Sequence, residues 1–200
     1  MKNFNAILEY ARKNKLHIPK LDFFTGEIWG YPFGNKALDI VLNNLKEGLQ
    51  LPNIMIPSNL SFCRDPKLMD IIQYYIDECK QYNCNLTFSC SMDGLYLDKI
   101  NRPCNEKSVD FKTDEYYNNI FNFCKRNKYG YHPMISAATI EHQIKNYDTW
   151  IEKFKEVYEG ERFARTFGSI MQLEVRDDDW TEDKIISYIQ WLKHVIETDK

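Results

Sequence analysis

Short β-like runs alternate with longer amphipathic stretches along this chain, and that alternation constrains its fold more than any other feature. Apolar residues recurring at i, i+3 and i+4 mark one helical face, while brief apolar runs bounded by turn residues mark strands. The sequence predicts strands at Leu21–Phe24, Asn53–Pro57, Leu86–Ser91, Tyr131–Ser136 and Ile170–Val175. Their starts are separated by about 30 to 45 residues, the length of a βαβ unit. Between them lie helices. Asn5–Asn14 carries Ile7, Leu8 and Ala11 on one face, and Ala37–Leu49 carries Leu38, Val41, Leu42, Leu45 and Leu49. Asp65 and Pro66 open the next one, aspartate as cap and proline at the first helical position. Its buried stripe is read as Leu68, Met69, Ile72, Tyr75, Ile76 and Cys79. Thr113 caps a helix that turns Ile120, Phe121 and Cys124 inward, and Asn146–Glu159 stops at Gly160. Thr181 caps the last helix, whose expected stripe is Ile185, Ile189, Leu192, Val195 and Ile196.

Strands alternating with helices imply an α/β fold with a parallel sheet and helices outside. Five strands are too few for a complete eight-stranded barrel, which takes about 250 residues. The series also opens on a helix, where a βα series opens on a strand. The expectation is therefore one domain over residues 1–200, a partial parallel (β/α) TIM-like barrel whose first strand lies upstream. A barrel opened in this way exposes an apolar edge, so a partner chain supplying the first strand is a candidate partner.

Composition removes several classes of function. A net charge of −3 gives no electrostatic case for a nucleic-acid partner. No apolar run approaches the length of a membrane span, and the N-terminal stretch, broken by Glu9 and Arg12, lacks the apolar core of a signal peptide. A cytoplasmic chain with six reduced cysteines is the expectation. Cys63, Cys79, Cys84, Cys90, Cys104 and Cys124 include no C-x2-C pair, so no zinc knuckle is evident. Cys79 and Cys124 occupy apolar helix positions and are read as core.

In a parallel sheet all strand C-termini lie on one edge, which is where barrel enzymes keep their chemistry. The residues expected there are Thr25-Gly26-Glu27, Ser58-Asn59, Ser89, Ser91 and Asp93, then His132, Ser136 and Thr139, then Glu174 and Arg176. Every strand ends in small polar or charged groups, which suits a polar ligand lying across the sheet; solvated loop residues are the plainer reading. Gly26 lets a backbone approach the ligand closely, and Glu27 accepts from an ammonium group. Arg102, whose planar fork matches a carboxylate, follows the run Ser89-Cys90-Ser91-Met92-Asp93-Gly94 and Asp98. His132, ahead of Pro133 inside a strand, reads as structural. Asp177-Asp178-Asp179 reads as a solvated helix entrance, because adjacent side chains on an extended chain point apart. Trp29 and Tyr31, flanking Gly30, form either a lid or part of the core.

At these residues the chain resembles the radical S-adenosylmethionine enzymes, over nearly its whole length from about Leu21 onward. Thr25-Gly26-Glu27 resembles the Gly-Gly-Glu element that binds the amino group of the methionine moiety, with threonine for the first glycine and Ile28 for the usual proline. Ser58-Asn59 resembles the polar end of the family's next strand. Ser89-x-Ser91-x-Asp93-Gly94 with Arg102-Pro103 is similar to the motif of members that modify peptides, in which serine and arginine contact carboxylate and ribose. Ser136 and Glu174 fall where later strands line the adenine pocket. The resemblance implies S-adenosylmethionine as cofactor, 5′-deoxyadenosyl radical chemistry, and a peptide as candidate substrate. The family's C-x3-C-x2-C motif, which holds a [4Fe–4S] cluster, is absent from the sequence. The cluster is therefore expected only through a missing N-terminal segment, and the chain alone is expected to be inactive. Two alternatives stand beside this: a cluster-free α/β-barrel enzyme using Glu174, His132 and Asp93 as an acid–base group, and a non-catalytic binding domain, a degenerate remnant.

Overall fold

The structure is a computed structural model that describes residues 1–23, 27–30, 33–91, 113–132, 134–135, 137, 140–142, 144–145, 148, 172–173 and 180–198. It is a mixed α/β fold, and the chain divides into two compact units, Met1–Ser89 and Cys90–Lys200.

In the first unit the order of elements is α1 (Lys2–Lys13), β1 (Leu21–Asp22), a 3-10 turn at Ile28–Gly30, α2 (Phe33–Lys46), β2 (Asn53–Ser58), a 3-10 turn at Ser61–Arg64, α3 (Pro66–Gln81) and β3 (Asn85–Ser91). The sheet is small, open and parallel, in the order β1-β2-β3. Leu21 pairs with Ile54 and Asp22 with Met55, and the Phe23 N–H carries the ladder one step further to Met55 O at 2.9 Å. On the other side of β2, the Asn85 N–H donates to Pro52 O at 2.7 Å and Thr87 Oγ1 to Ile54 O at 3.0 Å. Both bonds advance in the same direction along the two strands, as parallel pairing requires.

Side chains alternate across a strand, and β2 follows the rule closely. Ile54, Ile56 and Ser58 are buried, while Met55 and Pro57 are half-buried. In β3 the buried file is Leu86, Phe88 and Cys90. The helices cover this core with most of the expected stripes, although Leu68 and Met69 at the start of α3 are only half-buried. Leu38, Val41, Leu42 and Leu45 of α2 and Ile72, Tyr75, Ile76 and Cys79 of α3 are all buried. Each such aliphatic side chain contributes about 1.5–3 kcal/mol by leaving water. Asp65 caps α3 as its sequence suggests, accepting from Lys67 N and Leu68 N with Pro66 at the first position. One expectation fails in α1: Leu8 and Ala11 are buried but Ile7 is 64% exposed. Ile7 stands directly before Leu8, a rotation of about 100° around the helix, and that step takes it off the packed face.

All three helices of this unit end alike. After each, one residue adopts positive φ: Lys15 (φ 53), Gly48 (φ 96) and Asn83 (φ 56). The next N–H reaches back five positions, Leu16 to Ala11 O, Leu49 to Asn44 O and Cys84 to Cys79 O, at 2.8–3.0 Å. The positive-φ residue itself bonds to Arg12 O, Leu45 O or Lys80 O. These are Schellman motifs, in which the doubled backbone bond satisfies the last carbonyls and turns the chain sharply. Only one of the three uses glycine, the residue that enters this conformation without a Cβ penalty.

In the second unit, α4 (Asp114–Asn127) is capped by Thr113, whose hydroxyl accepts from Tyr116 N. Ile120, Phe121 and Cys124 are buried, as expected. Lys128 (φ 57) ends this helix in the same way, with Tyr129 N bonded to Cys124 O at 3.0 Å. Cys90 and Ser91 of β3 then pair in parallel with Tyr131 and His132 of β4 (Tyr131–His132). A separate two-stranded parallel ribbon joins β5 (Met134–Ile135) to β6 (Gln172–Leu173). The last helix, α5 (Glu182–Thr198), departs from expectation. Ile185, Ile189 and Ile196 are 45%, 58% and 64% exposed, and among the described side chains of this helix Trp191 is the buried one. The large indole sets the packed face, a preference that apolar periodicity among isoleucines does not register.

Candidate functional site at the edge of the first sheet

The buried file of β2 explains how the site is built. Ser58 is the third inward position after Ile54 and Ile56 and is 3% exposed. A buried hydroxyl must find partners, and Ser58 finds two. Its Oγ donates to Glu27 Oε2 at 2.7 Å and accepts from Leu60 N at 2.9 Å. Glu27 lies in the segment that follows β1, so the bond crosses from one strand end to the next. The Asn59 N–H adds a second donor to the same oxygen at 2.9 Å.

The turn after Ser58 is tightly determined. Leu60 sits in the left-handed region (φ 61, ψ 14) and is fully buried. A leucine held there costs about 1–2 kcal/mol relative to a right-handed residue. The surrounding bonds hold it in place: Ser58 Oγ takes its N–H, and Asn59 Oδ1 accepts from Ser61 N at 2.9 Å. Beneath the turn, Trp29 stacks on Phe88 with ring centroids 6.3 Å apart, and Phe62 meets both rings. Trp29, read from sequence as lid or core, is half-buried and packs its ring against two core phenylalanines.

Two polar atoms here lack partners. Glu27 Oε1 is buried with no hydrogen bond, although Oε2 receives two. Trp29 Nε1, two residues along, is buried without an acceptor. Burial pushes the Glu27 carboxyl above the usual carboxylate range; the Ser58 hydroxyl and the Asn59 and Trp29 backbone N–H groups pull it partly back. Among the described residues no cation acts on it. A half-satisfied buried carboxylate is costly, and an ammonium group is the complement it lacks.

The structure thus brings Glu27, Ser58 and Asn59 together. Ser89, in the same unit, belongs to the half-buried file of β3, not to the file of Phe88. Ser91 belongs to the second unit, where its backbone pairs with His132. Gly26, Asp93, Arg102, Ser136 and Glu174 lie outside the described residues, as do Thr25, Gly94, Asp98, Thr139, Arg176 and the Asp177–Asp179 run. Sequence reasoning missed the Leu60 turn and the Trp29–Phe62–Phe88 box. The spacing Ile54-x-Ile56-x-Ser58 was the available signal that Ser58 points inward. Among the described residues no three His, Cys, Asp or Glu side chains are grouped to hold a metal ion, and Cys63, Cys79, Cys84, Cys90 and Cys124 are all buried and outside any disulfide. No family model, curated protein or solved structure matches this chain.

Proposed function

We propose that the C-terminal edge of the first sheet binds a small ligand carrying a positively charged amino group, and that this ligand is S-adenosylmethionine. The observation that carries the reading is Glu27 Oε1, buried and without a hydrogen-bond partner while its twin oxygen takes two. Ser58 and the Asn59 N–H fix the carboxylate in one orientation, so the ligand's ammonium meets an acceptor already in place. Such preorganisation lowers the ordering cost of binding. Trp29 Nε1 is a donor for a second polar group on the same ligand. The sequential order β1-β2-β3 has no reversal, which favours a piece of a (β/α) barrel over a doubly wound sheet with its switch point.

In the family that the chain resembles, S-adenosylmethionine supplies a carbon radical that abstracts hydrogen from a substrate, here by resemblance a peptide. The residues described above bind and orient the ligand and exclude water from its amino end. The described cysteines do not fit a [4Fe–4S] cluster, which needs gathered thiolates, so no step is routed through one. That same dispersal favours a second reading, a non-catalytic domain that binds the ligand without turning it over.

Equilibrium binding of S-adenosylmethionine to the full chain tests the proposal. Binding should be saturable, and Glu27→Gln, which keeps the shape and removes the charge, should weaken it at least about tenfold, the equivalent of one charge-assisted bond. No binding, or equal binding by both proteins, overturns the site. Methionine should compete and adenosine alone should not, because the argument concerns the amino end.

A further inference from the structure

The Schellman motif at the end of α3 differs from the other three in what it brings together. The motif places the residue after the positive-φ position against the helix residue five before it, usually as an apolar contact. In α1 these are Leu16 and Ala11, in α2 Leu49 and Asn44, and in α4 Tyr129 and Cys124. In α3 both positions are cysteine. The Cys84 N–H donates to Cys79 O at 3.0 Å, and each residue is 1% exposed. Each thiol also acts on the titration of the other. The motif therefore holds the two cysteine residues against one another through a fixed backbone bond, with Asn83 (φ 56) as its pivot.

We propose that Cys79 and Cys84 are a dithiol site that hydrogen peroxide oxidises to a disulfide, stapling the end of α3 to the start of β3. The chemistry follows the usual ladder. The Cys79 thiolate attacks one peroxide oxygen, the O–O bond breaks, and water leaves with the thiol's proton, giving a sulfenic acid. Cys84 sulfur then attacks the Cys79 sulfur, the S–O bond breaks, a second water leaves, and the S–S bond forms. Two thiols are oxidised and one peroxide is reduced to two waters. The interaction between the two thiols assigns the roles. Cys84 holds Cys79 below the usual thiol range, while Cys79, with burial, raises Cys84; the thiolate is the attacking form. Access comes from the helix end. Lys80, Gln81, Tyr82 and Asn83 are all exposed, so fraying of one turn, the lowest-energy opening available to a helix, uncovers both sulfurs while the sheet stays intact.

The test is to treat the native full chain with hydrogen peroxide, block remaining thiols with a maleimide, and map the products by tryptic mass spectrometry. Lys80 lies between the two cysteines, so the disulfide appears as two cross-linked peptides. The expected result is loss of two of the six thiols, assigned to Cys79 and Cys84 and restored by dithiothreitol. In Cys84→Ala, Cys79 should stop at a sulfenic acid that dimedone traps. Loss spread over Cys63, Cys90 and Cys124, or loss that occurs only in urea, overturns the proposal. The wild-type map decides even where the variant fails to fold, and neither result bears on ligand binding at Glu27.

Discussion

Ser58→Ala removes one oxygen atom and two hydrogen bonds, and the consequence depends on pH in a way that only a buried carboxylate produces. The hydroxyl donates to Glu27 Oε2 at 2.7 Å and accepts from the N–H of fully buried Leu60. At pH ~7 the variant leaves a buried carboxylate short of a charge-assisted donor and a backbone donor without an acceptor, together about 2–4 kcal/mol. Burial raises the Glu27 pKa from its ordinary 4.5. A carboxyl whose folded pKa is raised holds its proton longer in the native state, so its contribution to stability is best below the unfolded pKa. That contribution is lost as pH rises through the window from 4.5 to the raised folded value. Removing Ser58 takes away a bond that favours the charged form and widens that window. At pH ~4, with Glu27 neutral in the folded state, the loss should shrink to about 1–2 kcal/mol, the worth of neutral bonds. Urea unfolding at the two pH values, with Ser89→Ala as a serine control, measures the difference. A loss below about 0.5 kcal/mol at pH ~7, or an equal loss at both, refutes the assignment of Ser58 as the donor that supports a buried charge.

Five further outcomes follow from the geometry. Gly48→Ala should destabilise by about 1–2 kcal/mol although a Cβ there meets nothing within 4 Å, because φ is 96°; Lys128→Gly should raise the melting temperature for the converse reason. Gly34→Ala would place a Cβ 2.9 Å from Ile28 O and 3.3 Å from Trp29 Cε3, costing about 1–3 kcal/mol and shifting tryptophan fluorescence. Tyr75→Phe loses the 2.7 Å bond to Asp39 Oδ1 and should cost about 1.5–3 kcal/mol in chemical denaturation. Binding of S-adenosylmethionine should strengthen as pH rises through the raised pKa of Glu27 and release a proton on the way, which calorimetry in buffers of different ionisation enthalpy detects; pH-independent binding removes Glu27 from the site.

The frame of the first unit was legible where one rule acted alone. Asp65-Pro66 announced α3, and the five-leucine-and-valine stripe of Leu38–Leu49 located its buried face without ambiguity. Where two effects compete, pattern reading fails. Ile185 and Ile189 have helical spacing, yet one tryptophan, Trp191, decides which side of α5 is covered. Helix ends at Lys15, Asn83 and Lys128 carry no glycine to announce a positive φ; backbone bonding from the next residue to the one five back creates it. The site divides in the same way. That Glu27, Ser58 and Asn59 lie at strand ends was readable from the alternation. That Ser58 and Asn59 converge on a single oxygen of Glu27 was not, because it depends on strand register and on the left-handed Leu60.

The three capped turns of the first unit have a consequence for how such a chain can change over generations. Each fixes where a helix stops and the path into the next strand begins, using main-chain bonds that almost any side chain can satisfy. Apart from Gly48, whose φ of 96° penalises a Cβ, the strand entrances are therefore set by the main chain, while the strand exits, where Glu27, Ser58 and Asn59 sit, depend on side-chain identity. One rim of the sheet is a foundation that tolerates drift, and the other is free to acquire new specificities by altering a few side chains without disturbing the ground on which it stands.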